Sequence, residues 1–516
     1  MCEIFWTLPS TDANGLVTET QYEEDSDNVK KVIYPTFTRE FAYDARGREI
    51  SYTDQVNDVS RTTTSALDAL GQIVSITDPL GRVTGYEYDA LGRKTAEINA
   101  NNATNRFEYD LFDNMTKLKD AGGNETVFEY DLGGRLTKKT YADASHVDHV
   151  FDAQGRLIEK TDAMGQKTVY KYDGQGRMVT NLFYNSAQTL VKTVAYGYDN
   201  QGRMINWSVS DTSGFCLLTS ALTYDDTNKT QSVTVNYGPF SKTYSYAYDG
   251  FGRKTSFTYP AQSPTNSGTS TLQFSYDLFG QLSGITIPGE GTISYSYDAQ
   301  SAPVSSILPG GGRKQYGYDA MLSLVTNNAL DAAQNTLMSR VYSRSLAGNI
   351  LAQDTEQGEY AYGYDLIDQL TNVNISAYTG PSGVATNEAF AYDAMGNRLW
   401  SSSTVNCEPG TVNYTANNLN QYSEIENWQS KIENYQYDLN GNQLVHYQEL
   451  SDGTVITNYL GWDIENRLVS ITNQQGDVAN YSYDPFGRRL SKIFNGVTNY
   501  YLYSDEGLIA EYDCAG

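Results

Sequence analysis

The alternation of aromatic and polar positions along the chain predicts short β-strands. In Tyr86-Glu87-Tyr88 the two rings are two residues apart, so they share one face of a strand while the glutamate lies on the other. An aspartate follows the second ring. The same Tyr/Phe-Asp pair recurs every 21 residues, at Tyr88, Tyr109, Tyr130, Phe151 and Tyr172. Equal intervals of this kind indicate a tandem repeat whose units pack on their neighbours.

Each repeat closes its strand with a predicted turn. The stretch Asp89-Ala90-Leu91-Gly92 places aspartate first and glycine fourth. The aspartate can accept hydrogen bonds from the backbone just ahead of it, and the glycine can adopt the positive φ that the reversal needs. A second turn lies about halfway to the next pair, as at Asp162-Ala163-Met164-Gly165. Two reversals per unit predict an antiparallel meander.

The repeat continues in looser form over almost the whole chain. A degenerate unit covers residues 11–16, and the clear array begins at residues 41–48. The intervals between Tyr-Asp pairs widen between Tyr198 and Tyr276. The extra residues there, such as 260–270, predict loops at one rim of the sheet. We place degenerate units at Tyr342-Ser343, Tyr414-Thr415 and Trp462-Asp463. The count is about 22 units and about 44 strands. We predict a degenerate repeat and loop over residues 1–40 and one repeat array over residues 41–516.

An antiparallel sheet of this size has to coil. At about 4.8 Å per strand, 44 strands span on the order of 200 Å, far beyond the roughly ten strands at which open sheets curl or split. A single ring would be roughly 65 Å across, too wide for side chains to fill its lumen. No helical period is sustained along the chain. We therefore predict an all-β fold in which tandem hairpins form a long antiparallel sheet, one layer thick, that spirals into a hollow shell.

The residues that define the repeat are expected to be structural. We expect the aromatic pairs to align as ladders of neighbouring rings, with a sugar-stacking surface as the alternative. We expect the arginine after the turn glycine to meet the aspartate of a neighbouring turn in an exposed pair worth about 0–1 kcal/mol. The repeat-defining residues are Tyr88, Asp89, Gly92, Arg93, Tyr130, Asp131, Tyr172, Asp173, Gly176, Arg177, Tyr248, Asp249, Gly252, Arg253, Tyr483, Asp484, Gly487 and Arg488.

Charge and composition exclude several classes of partner. The chain has 36 Lys+Arg against 62 Asp+Glu, a formal charge of −26, which argues against nucleic acids and anionic membranes. An acidic site for cationic ligands or Ca²⁺ stays open, although no Asp-x-Asp-x-Asp-Gly loop supports it. The four cysteines, Cys2, Cys216, Cys407 and Cys514, form no C-x-x-C pair, which argues against zinc and a disulfide framework. No signal peptide or 18-residue apolar segment is visible, so we predict no membrane span.

Candidate chemistry is sparse. Two of the three histidines, His146 and His149, are three residues apart, so on a strand they face opposite ways and are expected to be exposed or edge residues. There is no G-x-S-x-G elbow, P-loop or H-E-x-x-H motif. We therefore name no catalytic, cofactor-binding or metal-binding residue and expect no cofactor. An enzyme acting on acidic polysaccharides, with a tyrosine as proton donor and His146, His149 or His446 as base, remains an alternative.

The motif Y-D-x-x-G-R, written here over residues 88–93, 172–177 and 248–253, resembles the YD repeat of the Rhs family. The same repeat is known in bacterial toxin-complex C subunits and, more distantly, in teneurins, and the resemblance covers nearly the whole chain. It implies a spiralling β-strip that forms a hollow shell, which in bacterial members often encloses a C-terminal toxin. Residues 501–513 resemble the segment that precedes the Rhs core, and we expect that core, with its self-cleavage signature, and the toxin to be missing from this chain.

These observations lead to one functional expectation and two alternatives. We expect an incomplete shell that encases and carries a polypeptide cargo, supplied by a C-terminal domain missing here or by a partner, and that acts in secreted form or at a cell surface. The first alternative is an extracellular carbohydrate-binding or adhesion module, with glycans as partners. The second is the polysaccharide-degrading enzyme.

Overall fold

The structure is a computed structural model that describes the chain except residues 1–6, 13, 25, 212–217, 261–269, 381–383, 406–407, 428–430, 434 and 450–453. The described residues form 45 β-strands and no helix. The expected all-β fold is therefore confirmed, with one strand more than the sequence predicted. The Pro260–Ser270 loop and three of the four cysteines lie largely or wholly outside the described residues.

The strands are β1 (Thr7–Thr11), β2 (Val17–Tyr22), β3 (Val29–Ile33), β4 (Thr38–Tyr43), β5 (Glu49–Val56), β6 (Val59–Leu67), β7 (Ile73–Thr77), β8 (Val83–Tyr88), β9 (Lys94–Ile98), β10 (Thr104–Tyr109), β11 (Met115–Lys119), β12 (Glu125–Tyr130), β13 (Leu136–Thr140), β14 (His146–Phe151), β15 (Leu157–Thr161), β16 (Lys167–Tyr172), β17 (Met178–Tyr184), β18 (Leu190–Tyr198), β19 (Met204–Asp211), β20 (Leu218–Tyr224), β21 (Thr230–Asn236), β22 (Ser241–Tyr248), β23 (Lys254–Thr258), β24 (Thr271–Tyr276), β25 (Leu282–Ile287), β26 (Gly291–Tyr297), β27 (Pro303–Ile307), β28 (Arg313–Tyr318), β29 (Leu324–Leu330), β30 (Thr336–Arg344), β31 (Ile350–Thr355), β32 (Gly358–Tyr364), β33 (Leu370–Ser376), β34 (Ala385–Tyr392), β35 (Arg398–Val405), β36 (Glu408–Ala416), β37 (Tyr422–Asn427), β38 (Lys431–Glu433), β39 (Val445–Glu449), β40 (Val455–Trp462), β41 (Leu468–Asn473), β42 (Val478–Tyr483), β43 (Arg489–Phe494), β44 (Val497–Ser504) and β45 (Gly507–Tyr512).

Strands pair antiparallel with their neighbours along the chain. The first 38 belong to one sheet and β39–β45 to a second sheet of seven strands. In the hairpin of β8 and β9 the register runs Glu87↔Ala96 and then shifts to Tyr88↔Lys94. This shift makes room for a turn whose fourth residue has positive φ, which is Gly92 at +85°. The predicted meander is thus confirmed strand by strand.

The chain divides into two compact units. The first contains Met1–Glu125, Ser275–Thr415 and Ile425–Lys431, and the second contains Thr126–Phe274, Ala416–Glu424 and Ile432–Gly516. Each unit therefore combines an early stretch of the sequence with a late one.

In the first unit, early turns lie against late turns. Arg82 forms an ion pair with Asp368, and the Asn101 side chain donates to the Asp365 carboxylate at 2.9 Å. A Cβ built on Gly122 would lie 3.1 Å from Cγ of Met395. The turns of residues 78–82, 99–103 and 120–124 are the intervening turns, halfway between Tyr-Asp pairs, whereas those of 365–369 and 393–397 each begin at the Asp of such a pair. Two different rows of turns thus pack together.

The second unit also contains a hydrophobic core. Strands β17–β23 pack on β43–β45 through buried side chains, among them Phe257 and Leu502, and Tyr237 lies edge-on to Tyr500 with ring centroids 5.3 Å apart. The core consists of Phe183, Val194, Trp207, Val209, Leu218, Val235, Tyr237, Tyr244, Tyr246, Phe257, Leu490, Leu502 and Tyr512. The expected one-layer wall with both faces exposed is therefore wrong for this part of the chain, where two sets of strands bury apolar surface between them.

Candidate functional site

The repeat motif builds a hydrogen-bonded turn. Oδ1 of Asp89 accepts from the backbone nitrogens of Leu91 and Arg93, both at 3.0 Å. Its Oδ2 accepts from Nε of Arg93 at 2.8 Å and from Nη2 at 2.7 Å. The Gly92 nitrogen donates to the Asp89 carbonyl at 3.0 Å. One carboxylate therefore fixes both the backbone of the turn and the side chain that follows it.

The arginine then reaches the next repeat. Nη1 of Arg93 donates to the Asp110 carbonyl at 2.6 Å and meets the Asp113 carboxylate at 3.0 Å. Its guanidinium carbon lies 4.9 Å from the ring centroid of Tyr109, within cation–π range. The expected contact with an aspartate of a neighbouring turn is present in the pair with Asp113, but Arg93 also binds Asp89 in its own turn, which the sequence analysis did not predict.

The second aromatic residue of a pair also forms a hydrogen bond back to the preceding repeat. The Tyr109 hydroxyl donates to the Lys94 carbonyl at 2.8 Å, one residue beyond the arginine that covers its ring. Trp462 makes the equivalent bond with its indole nitrogen, to the Gln443 carbonyl at 2.7 Å. We call this pair of contacts, arginine over ring and ring to carbonyl, the inter-repeat clamp. The same hydroxyl-to-carbonyl bond occurs at Tyr43, Tyr88, Tyr172, Tyr198, Tyr224, Tyr248, Tyr297, Tyr318, Tyr364, Tyr392, Tyr437 and Tyr483.

The expected ladder of directly stacked rings takes a different form. Where the repeat is most regular, arginines bridge successive units, with guanidinium carbons 4.8 Å from the Tyr172 ring and 4.9 Å from the Tyr198 ring. Direct ring contacts gather instead in the core of the second unit, as between Tyr246 and Phe257 at 5.2 Å. In these repeats each arginine thus links its own turn to one ring of the next repeat.

The other repeat-defining residues occupy the same positions. Arg177 binds Asp173 and the Asp199 carbonyl, and Arg253 binds Asp249. Arg488 binds Asp484, whose side chain is fully buried. Tyr130 ends β12, and Asp131 binds Arg135. Gly176, Gly252 and Gly487 have φ between +76° and +83°.

Two degenerate units have a different register from the one predicted. After Tyr342 the turn begins at Ser345, not Ser343, because the Ser345 nitrogen donates to the Asn349 carbonyl. After Tyr414 the turn begins at Asn417. Both tyrosines are therefore the first aromatic position of a pair. The predicted unit at Trp462-Asp463 has its turn in the expected place.

Several of the turns lower the pKa of their aspartate carboxylate. At Asp44 the side-chain hydrogen bond from Arg48, helped by backbone donors, lowers the pKa to about 2. Backbone and side-chain bonds from the following arginine also lower the pKa of Asp89 and Asp173. Asp131 and Asp249 have lowered pKa values for the same reasons. The ionised aspartate is therefore the form that the motif binds.

In the first unit, the tips of two early Tyr-Asp turns differ from those of two late ones. Leu91 and Phe112, at the third turn position, are 70% and 82% exposed. Ile367 and Met395 hold the same position in turns that pack on the intervening turns, and both are partly buried. This difference depends on contacts between distant segments, so the sequence could not show it.

The two neighbouring histidines lie on opposite faces of one strand. β14 shows no register shift between His146 and His149, so the two lie on opposite faces as predicted. His146 is exposed beside Asp148 at 3.6 Å. His149 is partly buried, and burial lowers its pKa. His446 is exposed on β39.

The described part of the chain offers little other candidate chemistry. No group of three or more His, Cys, Asp or Glu residues there could hold a metal ion. No described helix is long and apolar enough to cross a membrane. Cys514 is a free, exposed thiol, and Cys2, Cys216 and Cys407 lie outside the described residues.

Comparisons with known proteins agree with the repeat. The family model described as Teneurin YD-shell matches residues 15–206. No curated protein sequence matches the chain.

Solved structures share the fold over almost the whole chain. The crystal structure of TcdB2-TccC3 has a TM-score of 0.70 at 15% identity, covering 98% of this chain and 32% of that one. The structure of a Photorhabdus luminescens Tc holotoxin pore has a TM-score of 0.68 at 14% identity, covering 99% of this chain and 32% of that one. The chain thus spans about a third of the length of these structures. The resemblance to YD-repeat shell proteins is confirmed.

Proposed function

We propose that this chain forms the wall of a YD-repeat shell that encases and carries a polypeptide cargo. The observation that carries the proposal is the return of the chain onto itself. In the first unit Asn101 binds Asp365, 264 residues later, and Asn14 binds Ser301, 287 residues later. In the second unit Asn440 binds Asp162, which is 278 residues earlier. In each unit, segments about 260–290 residues apart along the chain are in contact. Contacts between successive windings of the chain are what a spiral wall requires.

The inter-repeat clamp supports a wall in preference to a filled core. Where the motif carries its arginine, the clamp joins one repeat to the next near the turns, as Arg93 does, through polar atoms and a partly exposed ring. A long sheet can therefore hold its neighbours in register along its edge without apolar filling on both faces. Such a wall leaves one face available to enclose another polypeptide.

The related structures suggest what kind of cargo the shell would carry. One related structure is a Tc holotoxin pore. Another is a TcdB2-TccC3 structure without its hypervariable C-terminal region. We propose a toxin-like polypeptide as cargo, supplied by a C-terminal domain or a partner chain, and a shell that acts after secretion or at a cell surface. Encapsulation would keep such a cargo apart from the cell that makes it.

Protease protection of a fused reporter tests the proposal. A short protease-sensitive peptide is fused after Gly516, whose carbonyl accepts from Lys242 at 2.8 Å in the second unit. The same peptide is fused before Met1 as the matched control, and the free peptide is the reference. We expect the C-terminal reporter to be cut at least tenfold more slowly than the free peptide.

The outcomes separate encapsulation from simple attachment. Protection at the C-terminus alone supports an enclosed cargo. Equal cleavage of both fusions and the free peptide, in protein with a β-rich circular dichroism spectrum, contradicts encapsulation by this chain. Equal protection at both ends also contradicts it, because general steric hindrance would then explain the result.

A further inference from the structure

The first unit has four rows of turns, and two of these rows pack together. In an antiparallel meander the Tyr-Asp turns lie at one end of the strands and the intervening turns at the other. The early intervening turns pack on the late Tyr-Asp turns, as in the ion pair of Arg82 with Asp368. The early Tyr-Asp turns and the late intervening turns therefore lie at the far ends of their strands, where each set forms a row of its own.

The early Tyr-Asp turns carry exposed apolar side chains. Leu70, Leu91 and Phe112 hold the third position of three successive turns, and Leu111 lies beside Phe112. All four side chains belong to residues that are at least 70% exposed. A contiguous set of exposed apolar groups marks an interaction surface. We call Leu70, Leu91, Leu111 and Phe112 the open tips.

The packed rows of the same unit show what such a tip binds. Met395 holds the third position of a late Tyr-Asp turn and packs on Gly122, the third residue of an early intervening turn. A Cβ built on Gly122 would lie 3.1 Å from Cγ of Met395. Met395 is partly buried, whereas the open tips are exposed. An apolar side chain at the third turn position thus packs on a small residue at the third position of an intervening turn.

The late intervening turns offer two such small residues. Gly310 and Ala333 are third in two successive turns, those of residues 308–312 and 331–335, and both are exposed. A Cβ built on Gly310 would meet no atom within 4 Å. Exposed Leu308 and Leu337 lie beside these turns and add apolar surface. We call Gly310 and Ala333 the open seats.

The open tips and the open seats are complementary in chemistry and in spacing. Both rows belong to one sheet, so neighbouring tips and neighbouring seats are each separated by two strands, or about 9–10 Å. One molecule cannot bring its own open tips to its open seats, because the two packed rows lie between them. We propose that a second copy of this chain docks here, its open seats on the open tips of the first, in a head-to-tail contact. This contact requires neither a lumen nor a cargo.

Sedimentation velocity of the purified 516-residue chain tests the contact. We expect the wild type to associate as its concentration rises, with a dissociation constant on the order of 10 µM, as for an interface of small area. A head-to-tail contact leaves one row of tips and one row of seats free at the two ends of a dimer. Species larger than a dimer should therefore form at the higher concentrations.

Two double variants test the two rows separately. The tip variant, Leu91→Gln with Phe112→Gln, introduces the residue that Gln154 provides at the third position of a later turn. The seat variant, Gly310→Glu with Ala333→Glu, places a charged side chain on each seat, and at Gly310 the chain itself leaves the space free. Each variant alone should associate at least tenfold more weakly than the wild type.

An equimolar mixture of the two variants should restore association. The tip variant keeps its seats and the seat variant keeps its tips, so one intact contact joins them. The mixture should form dimers and nothing larger, because the remaining tips and seats at the two ends of the dimer carry the substitutions.

Val341→Gln is the matched control, since Val341 is 43% exposed in the middle of β30 and belongs to neither row. It should associate as the wild type does. Circular dichroism of every variant shows whether the fold is kept. The single substitutions Phe112→Gln and Gly310→Glu replace a double variant that does not fold.

Four results would overturn the proposal. They are a wild type that stays monomeric at about 100 µM, which would leave the tips to a different partner, folded variants that associate as strongly as the wild type, a mixture that stays monomeric, and loss of association in the tip variant alone, since the tips would then bind one another. The reporter experiment can be run on the seat variant, so failure here is distinguishable from failure of the shell proposal.

Discussion

Tyr109 donates its hydroxyl to the Lys94 carbonyl at 2.8 Å while Arg93, the preceding residue, lies over its ring. Two adjacent residues of one repeat thus hold a single aromatic side chain of the next. Because the arginine is itself held by Asp89, the turn and the neighbouring ring form one linked network. The short motif Y-D-x-x-G-R is therefore a connector between repeats.

Removing one hydroxyl should loosen one connection. Tyr109→Phe keeps the ring but leaves the Lys94 carbonyl without its donor, so we expect a local loss of about 1 kcal/mol. Native-state amide hydrogen exchange of β9 and β10 measures it. Tyr86→Phe is the matched control, since no protein partner of the Tyr86 hydroxyl occurs among the described residues. Equal exchange in the two variants would count against the hydroxyl bond.

Two arginines in the same region should differ in importance. Arg93 binds its own turn and the next repeat, whereas Arg106 makes only a long, exposed pair with Glu87 at 3.4 Å. We expect Arg93→Ala to speed amide exchange around Asp110 on the order of tenfold, and Arg106→Ala to leave it nearly unchanged. The prediction fails if the two substitutions have the same effect.

Acid should destabilise the repeat array. A carboxylate whose pKa is lower in the folded state contributes stability above its unfolded pKa of about 3.9, and that stability is lost as pH falls through the folded value. For Asp44 the folded pKa is about 2, so the loss lies between about pH 4 and pH 2. The thermal midpoint should fall over this window.

Substitution of Asp44 tests whether its titration causes the loss of stability in acid. Asp44→Asn keeps an acceptor oxygen for the turn, as Asn99 does in its own turn, but removes the titration. The variant should show a smaller fall of the midpoint between pH 4 and pH 2 than the wild type. A midpoint that is constant from pH 7 to pH 2 in the wild type would refute the assignment.

The core of the second unit should dominate its stability. Leu502 is 0% exposed, and Leu502→Ala should cost about 2–5 kcal/mol. Leu508, in the adjoining strand, is 55% exposed, and Leu508→Ala should change stability by less than about 0.5 kcal/mol. Urea unfolding followed by tryptophan fluorescence compares them. Similar midpoints would show that β44 does not pack into the core.

Local features were the ones that the sequence could predict. The turn at Asp89 depends on contacts between residues at most four apart, so strands, turns and repeat length were visible in the sequence. The predicted turn position was wrong at Ser345 and Asn417. In both turns another residue replaces the aspartate, and the nearest aromatic residue lies two positions before the place that the motif gives it.

Long-range contacts were not predictable in the same way. Nothing local to Asp162 indicates that it binds Asn440, or that Lys192 pairs with Glu465. The packing of β43–β45 on β17–β23 likewise joins segments more than 200 residues apart along the chain. Neither a 21-residue period nor the alternation of side chains carries information about such distant partners, which is why the sequence did not predict the second unit's core.

We propose that this chain builds a wall around a lumen. Electron cryomicroscopy of the purified 516-residue protein tests this proposal, because strand-level density distinguishes a wall from a packed interior. We expect a continuous wall of β-strands around a solvent-filled or cargo-filled lumen. A filled globule, or a straight solenoid without a lumen, would contradict it.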